Sequence, residues 1–202
     1  MANPVEDLDR PQRPHRVLQV PSVDEADRLL AACGSSQERL IIALLRYCGL
    51  RRSELLGLGV SDIAADYSSL RIDGKGRKER IVPVHDSVKP LLAAHVASLE
   101  SGEEALIRNR AGKPMSATTL TRLFRRLVRR SGLDGKDVTP HKLRHHFASQ
   151  LVRAGVDVAT VAELLGHSNI STTSIYLHSD PAARRAAVNR LPAMSDPPAA
   201  AS

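Results

Sequence analysis

The sequence predicts an α+β fold that is dominated by helices and carries one small antiparallel sheet. Apolar residues recur at helical spacing along most of the chain, and alternating spacing is confined to residues 70–84. Aromatic residues make up only 2% of the 202 residues, so Leu, Val, Ile and Ala must build the core. That composition favours closely packed helices, and the length is typical of one domain.

Capping residues define the first helices. Ser22 and Glu25 match a Ser-x-x-Glu capping box, which predicts a helix start. A second helix is predicted over residues 37–48, where Gly49 can end it. A short third helix is predicted over residues 52–58.

Two short strands are predicted next. Their apolar positions are Leu70, Ile72, Ile81, Val82 and Val84. Between them, residues 73–78 form a hairpin tip whose glycines permit a tight turn. Residues 86–99 are predicted to be helical, and residues 105–107 to form a third short strand.

The second half of the chain is predicted to be helical. The expected helices are 117–131, 140–154, 158–165, 170–177 and 181–190. The chain then divides into a proline-containing linker over residues 1–19, one domain over residues 20–191 and a Pro/Ala/Ser-rich tail over residues 192–202 that we expect to be disordered.

The charge distribution predicts an anionic partner. The net charge is +7, which favours nucleic acid first and an acidic membrane surface second. Eight basic residues and no acidic residue lie between Arg108 and Arg130, although a solvated face is the usual role of such a run. Arginine binds phosphate oxygens bidentately, and the scarcity of aromatic residues favours double-stranded DNA over single strands. The candidate DNA-binding residues are Arg108, Arg110, Arg122, Arg125, Arg126 and Arg129.

The sequence also predicts a compartment. Cys33 and Cys48 occupy apolar helical positions, so we interpret them as core residues in a reducing environment, not as a disulfide or metal ligands. No signal segment and no apolar run of about 18 residues is found. We therefore expect a cytoplasmic protein without a membrane span.

One helix start carries residues suited to phosphate binding. His141 and Arg144 are spaced i, i+3 on one face, just after Pro140, where the helix dipole favours anions. An ordinary surface pair is the simpler interpretation of these two residues alone. A metal site formed by His141 and His145 is disfavoured, because no acidic residue completes a His-Glu-x-x-His motif.

Other candidates each have a plain structural alternative. Arg51 can pair with Glu54, and Lys75 can be a loop lysine at the hairpin tip. His167 can favour a helix C-terminus after Gly166. Tyr176 can be a half-buried core tyrosine.

In combination the motifs are more specific. Five of them occur in order: Gly49-Leu-Arg-Arg-Ser-Glu-Leu55, Gly74-Lys-Gly-Arg-Lys-Glu-Arg80, His141-Lys-Leu-Arg-His145, Leu164-Leu-Gly-His167 and, nine residues later, Tyr176. This order resembles the tyrosine recombinases, the phage-integrase and Xer-like family, over about residues 20–190. The resemblance implies the catalytic residues Arg51, Lys75, His141, Arg144, His167 and Tyr176.

The resemblance implies a site-specific recombinase for DNA integration and recombination. Tyr176 would attack a phosphodiester and form a 3′-phosphotyrosyl link, which a 5′-hydroxyl then reseals without ATP, metal or another cofactor. The partners would be double-stranded DNA and other recombinase protomers in a tetrameric synapse. Glu54 would support the pocket rather than take part in the chemistry.

The chain departs from the family in two places. Members usually carry an N-terminal helical DNA-binding domain, whereas residues 1–19 are similar to the linker that follows it. An inactive DNA-binding remnant of an integrase therefore stays as an alternative. A type IB topoisomerase-like nicking enzyme, which uses similar chemistry, stays as another. In relatives a helix after the tyrosine packs onto a neighbouring protomer. Here Val188 and Leu191 could do so or could pack in cis, and both arrangements are left open.

Overall fold

The structure, a computed structural model, describes residues 20–73, 79–100, 102, 104–166 and 181–194. In this part of the chain eight α-helices surround one two-stranded sheet, which confirms the helix-dominated α+β class. The elements are α1 (Val23–Ala31), α2 (Ser36–Tyr47), α3 (Arg52–Gly57), β1 (Ser69–Asp73), β2 (Glu79–Pro83), α4 (Lys89–Ala97), α5 (Ala117–Arg130), α6 (Pro140–Arg153), α7 (Val158–Leu165) and α8 (Pro181–Val188).

The predicted helix starts are confirmed by their caps. The Glu25 amide donates to the Ser22 hydroxyl at 3.1 Å, and the Ser22 amide donates to the Glu25 carboxylate at 2.9 Å. Such a reciprocal box satisfies two amides that the first turn leaves without partners. Thr139 caps α6 in a similar way by accepting from the Lys142 amide at 3.3 Å.

Helix α2 forms the centre of the core. It packs against α1, α4 and α6, and every residue from 40 to 50 is buried. The predicted apolar row of α6 faces it, with Leu143, Phe147 and Leu151 fully buried. Burial of these side chains from water is the main source of stability for such a core.

Gly49 brings the end of α2 against α6. Its φ of +60° lies in the left-handed region, and a Cβ there would come within 2.4 Å of the Phe147 ring. Only glycine meets both requirements without strain. The chain that follows, Leu50 and Arg51, is therefore held close to α6.

A buried tyrosine hydroxyl next to this turn gives a stability prediction. Tyr47 is 1% exposed, and its hydroxyl has no hydrogen-bond partner among the residues that the structure describes. Burial also raises the pKa of this phenol. We expect Tyr47→Phe to raise the free energy of unfolding by about 1 kcal/mol, because it removes a desolvated polar group. Urea denaturation measures this effect, and a destabilisation by Tyr47→Phe would contradict the expectation.

The sheet has the predicted pairing. Strands β1 and β2 are antiparallel, with Leu70 opposite Val82 and Ile72 opposite Arg80. Leu70, Ile72 and Val82 face the core, whereas Ile81 points outward and is 47% exposed. Of the hairpin tip predicted over residues 73–78, Asp73 is the last residue of β1, and residues 74–78 lie outside the described residues.

The predicted third strand over residues 105–107 is wrong. The backbone hydrogen bonds of this segment go to two different loops and not to a strand. The Leu106 amide donates to the Leu58 carbonyl at 2.9 Å, and the Ile107 carbonyl accepts from the Met115 amide at 2.9 Å. Only an isolated bridge between Gly59 and Ala105 results.

The helix predicted over residues 86–99 is shorter than expected. Residues 86–88 form a turn, and α4 begins at Lys89. Pro90 explains the later start, because proline lacks an amide hydrogen and fits only the first turn of a helix, so the helix cannot begin a full turn earlier.

The sequence left open whether the helix after the tyrosine packs in cis or onto a neighbouring protomer. In the structure this helix, α8, packs in cis. Val188 and Leu191 are buried in the chain's own core. The Leu191 carbonyl lies 3.0 Å from Nε2 of His85, and the Asn189 side chain donates to Asp86 at 2.6 Å. Of the predicted disordered tail, residues 192–194 are described, and the Met194 amide donates to Ser87 at 2.9 Å.

Several predictions lie outside the described residues. These are the linker over residues 1–19, the helix over residues 170–177 and the rest of the tail over residues 195–202. Within the described part, none of the helices combines the length and hydrophobicity needed to cross a bilayer.

The two cysteines are free thiols, as interpreted from the sequence. Cys48 is fully buried, and Cys33 is partly buried. Burial raises the pKa of each thiol to about 12. Both therefore stay protonated at neutral pH and act as small apolar residues.

Candidate active site

One buried carboxylate gathers three arginines from different elements. Glu54, on α3, is 5% exposed in its side chain. Its oxygens accept from the Arg51 guanidinium at 2.7 Å and from Arg80 at 2.8 and 2.9 Å. The Arg51 amide also donates to Glu54 at 2.7 Å, and Arg144 approaches to 3.8 Å.

The cluster has an excess of positive charge. Burial alone would raise the pKa of the Glu54 carboxyl, but hydrogen bonds from Arg80 and Arg51 outweigh it and hold the pKa at about 2. Among the described residues, one carboxylate therefore faces three guanidiniums. Burial, together with the charge of Arg51, lowers the pKa of Arg144 to about 10, so Arg144 is still protonated at neutral pH. An anion placed beside these groups would be stabilised by the uncompensated charge.

The end of α7 contacts all three arginines of the cluster. Its last carbonyls accept from all three arginines, which satisfies groups that a helix end leaves unpaired. Arg80 donates to Leu164 at 3.2 Å, Arg144 to Leu165, and Arg51 to Gly166 at 3.0 Å.

The three arginines differ in their access to solvent. The Arg144 side chain is 8% exposed and donates to the Gly49 carbonyl at 2.6 Å, so the glycine turn after α2 helps to hold it. Arg80 is 12% exposed, whereas Arg51 is 40% exposed. Arg51 is therefore the arginine of this cluster that faces an incoming ligand most openly.

His141 lies one turn before Arg144 on α6 and is exposed. Its Nε2 lies 2.9 Å from Nε2 of His145, and the two rings meet edge to face. A contact between two ring nitrogens requires that one of them carries a proton and the other accepts. His141 is therefore placed on the surface of the α6 start, where the helix dipole favours an anion.

Three predicted catalytic residues lie outside the described residues. They are Lys75, His167 and Tyr176. The structure therefore brings together Arg51, Arg144 and the supporting Glu54, and it leaves the positions of the other three as predictions. Described neighbours flank them along the chain: β1 and β2 lie on either side of the hairpin tip, and Gly166 ends α7 directly before His167.

The predicted DNA-binding arginines separate into two groups. Arg125 and Arg129 are exposed and line a cleft of about 650 Å³ that His141 and Arg52 also border. Arg110 and Arg122 are exposed as well. The remaining two form hydrogen bonds within the protein. Arg126 donates to the Glu38 carboxylate, and Arg108 donates to the Gly112 carbonyl.

Among the described residues, no group of three or more His, Cys, Asp or Glu side chains is arranged to hold a metal ion. His141 and His145 touch each other, but within the described part of the chain they do not belong to such a group of three.

Arg80 is the member of the cluster that the sequence did not single out. It forms a bidentate pair with Glu54, the geometry in which a guanidinium binds a carboxylate most strongly. The sequence did contain a signal, because Arg80 is the last residue of the Gly74-Lys-Gly-Arg-Lys-Glu-Arg80 motif.

A partly buried cluster with an excess of positive charge is suited to an anion such as a phosphate. Residues 20–183 match the Phage integrase family, and the chain belongs to that family.

Curated relatives are tyrosine recombinases. A tyrosine recombinase of Thermosipho africanus is 40% identical over 180 residues, which is 87% of this chain and 62% of that protein. The tyrosine recombinase XerD of Corynebacterium glutamicum is 42% identical over 147 residues, 70% of this chain and 48% of that protein. The chain thus spans about half to two thirds of the length of these relatives.

Solved structures agree with the family. The XerA recombinase superposes with a TM-score of 0.71 at 33% identity, covering 90% of this chain and 66% of that one. The XerH site-specific recombinase bound to its difH substrate, in a pre-cleavage complex, gives a TM-score of 0.63 at 25% identity, covering 83% of this chain and 54% of that one.

Proposed function

We propose that this chain is the catalytic domain of a site-specific DNA recombinase, which cuts and rejoins strands through a 3′-phosphotyrosyl intermediate. The observation that carries the proposal is the Glu54 cluster, where Arg51 and Arg144 provide charge that the single carboxylate does not neutralise. Membership of the phage integrase family supports it. The domain extends over residues 20–191 in this proposal.

In the proposed reaction Arg51 and Arg144 bind the non-bridging oxygens of the scissile phosphate. Guanidiniums suit this task because they donate in a fixed planar fork and stay charged. Their charge also stabilises the negative charge that develops around phosphorus in the transition state. His141, on the exposed start of α6, assists proton transfer, and His167 donates to a non-bridging oxygen.

Tyr176 is the proposed nucleophile and Lys75 the proposed general acid. A phenol has a pKa of about 10, so it attacks poorly unless it is activated and the phosphate is neutralised. Lys75 protonates the departing 5′ oxygen. The phosphotyrosyl bond keeps the energy of the phosphodiester, so a 5′-hydroxyl can reverse the step, and the scheme includes no ATP and no metal.

The proposed partners are double-stranded DNA and further protomers that assemble on it as a tetramer. The neighbouring XerH structure contains its difH substrate, and a lambda integrase structure is a dimer bound to a core site, which supports both partners. We place the protein in the cytoplasm, where DNA is accessible and free thiols such as Cys33 and Cys48 persist.

DNA binding gives a testable prediction for α5. We expect the double variant Arg125→Gln/Arg129→Gln to weaken duplex binding at low salt and to reduce the slope of log affinity against log salt by about two, since each lost phosphate contact removes about one unit. Fluorescence anisotropy on a labelled duplex at several salt concentrations measures both quantities.

Arg126→Gln is the matched control, because this arginine is on the same helix but already pairs with Glu38. We expect it to change the salt slope less than either Arg125→Gln or Arg129→Gln. An equal or larger change would show that Arg126 leaves Glu38 to contact DNA, and it would contradict the selection of Arg125 and Arg129 over Arg126 as phosphate contacts.

The proposed activity is tested on duplex DNA with a nick close to the cleavage position. Cleavage releases a short fragment, so resealing is prevented and the covalent intermediate accumulates. A protein–DNA adduct that survives detergent and carries the strand segment 5′ of the break is expected. An adduct on the other segment would contradict a 3′-phosphotyrosyl link.

The same assay separates the alternatives. Duplex binding without any adduct would favour the inactive remnant of an integrase. Relaxation of supercoiled plasmid without sequence preference would favour a topoisomerase-like nicking enzyme. Adduct formation restricted to particular sequences, with strand transfer to an added 5′-hydroxyl, is the result expected for a recombinase.

A further inference from the structure

Arg80 uses all three nitrogens of its guanidinium inside the fold. Two bind the oxygens of Glu54 at 2.8 and 2.9 Å, and Nε donates to the Leu164 carbonyl at 3.2 Å. Its side chain is only 12% exposed. In this arrangement Arg80 is directed at the protein and not at a ligand.

The carboxylate that Arg80 holds is shared with Arg51. Oε1 of Glu54 accepts from both guanidiniums, at 2.8 Å from Arg80 and 2.7 Å from Arg51. A bidentate pair fixes the plane of a carboxylate, which a single contact does not. Together with the Arg51 amide, which donates to Oε2 at 2.7 Å, Arg80 therefore helps to set the direction from which Glu54 holds the Arg51 guanidinium.

Arg80 also contacts the end of α7. Gly166 adopts a φ of +65°, and a Cβ there would lie 3.0–3.1 Å from atoms of the Arg80 side chain. The Gly166 carbonyl accepts from Arg51, and the next residue in the chain is His167. One buried side chain thus contacts both the support of Arg51 and the point where the chain leaves α7.

We propose that Arg80 is a positioning residue for strand cleavage. It orients Glu54, and through it Arg51, and it fixes the end of α7 from which the segment with His167 and Tyr176 continues. Arg80 touches neither the phosphate nor the nucleophile in this scheme. The proposal rests on the proposed function for its effect on cleavage, but its structural part can be measured without cleavage.

The first measurement is single-turnover adduct formation on the nicked duplex. We expect Arg80→Gln to slow the rate about 100-fold, because small displacements of catalytic groups have effects of this size. The dissociation constant for the same duplex should stay within about fivefold, because Arg80 does not contact DNA. Arg80→Lys should recover part of the rate, since it restores the charge but not the bidentate geometry.

Arg71→Gln is the matched control. Arg71 lies on β1 of the same hairpin and pairs with Asp62 at 3.0 Å, but its side chain is 48% exposed. Exposed pairs contribute little, so this variant should change the cleavage rate by less than about fivefold. Thermal unfolding of each variant shows that it is folded. If Arg80→Gln does not fold, Arg80→Lys is compared with Arg71→Lys in the same way.

The second measurement needs no activity. In ¹H–¹⁵N spectra of the guanidinium groups, the Nε resonance of Arg51 should shift or broaden in Arg80→Gln and stay in place in Arg71→Gln. A wild-type chain that forms no adduct would count against the proposed function, and the spectra would still test Arg80. An unmoved Arg51 resonance, or wild-type cleavage by Arg80→Gln, would overturn the inference.

Discussion

Replacing Arg144 by alanine is expected to reduce the rate of adduct formation about 1,000-fold, the upper end of the range seen when one donor to a developing charge is removed. The loss has two physical causes. The scissile phosphate loses a guanidinium that is already desolvated, and desolvated charges interact more strongly than solvated ones. The Gly49 and Leu165 carbonyls, both held by Arg144, also lose their donor.

The second cause predicts an effect on stability. A buried acceptor left without a donor costs about 1–3 kcal/mol, so Arg144→Ala should lower the free energy of unfolding by a few kcal/mol. Arg144→Lys separates the two causes, because it keeps a positive charge but cannot serve two carbonyls and a phosphate together. We expect it to be more stable than Arg144→Ala and still at least about 100-fold slower than wild type.

Arg153→Ala is the control for both variants. It removes an exposed arginine from the last turn of the same helix, far along α6 from the cluster. Single-turnover adduct formation and urea denaturation should both give values near wild type for this variant. Cleavage by Arg144→Ala within about tenfold of wild type would contradict the role of Arg144 as a phosphate ligand.

Local signals explain why the helices could be predicted from the sequence. The capping box of Ser22 and Glu25 spans four residues, and the stop at Gly49 depends on one backbone conformation. The row of Leu143, Phe147 and Leu151 follows helical spacing. The predicted third strand was wrong because residues 105–107 do not pair with a strand: Leu106 bonds to Leu58, which is distant in sequence, and Ile107 bonds to Met115 in the next loop.

The candidate site could be predicted only in part. The motifs identified Arg51 and Arg144, and the structure places both guanidiniums beside the Glu54 carboxylate. The pairing of Glu54 with Arg80 could not be derived, because it joins residues 26 positions apart on different elements. The hydrogen bond from Arg80 to Leu164 joins residues 84 positions apart, which no periodicity within one element can indicate.

The basic run shows the same limitation. Between Arg108 and Arg130 the sequence contains no acidic residue, which favours DNA binding by the six arginines predicted from it. Folding supplies the acid from elsewhere, because Glu38, 88 positions away, pairs with Arg126. A charge run that is unbalanced in sequence can therefore be partly balanced in the fold, and the arginines that have an acidic partner must be identified from the structure.

The nucleophile is the central claim, and the chain offers a matched set of variants for it. It contains three tyrosines, Tyr47, Tyr67 and Tyr176. Phenylalanine keeps the ring of each but lacks the oxygen that forms the bond to phosphorus. We expect Tyr47→Phe and Tyr67→Phe to form the adduct on nicked DNA, because neither belongs to the proposed site.

The most direct measurement is therefore the covalent adduct in these three variants, followed by proteolysis and mass spectrometry to locate the linked residue. The account predicts no detectable adduct for Tyr176→Phe, adduct in the other two variants, and a nucleotide attached to Tyr176 in the wild-type chain. An adduct formed by Tyr176→Phe, or a nucleotide located on another residue, would contradict it.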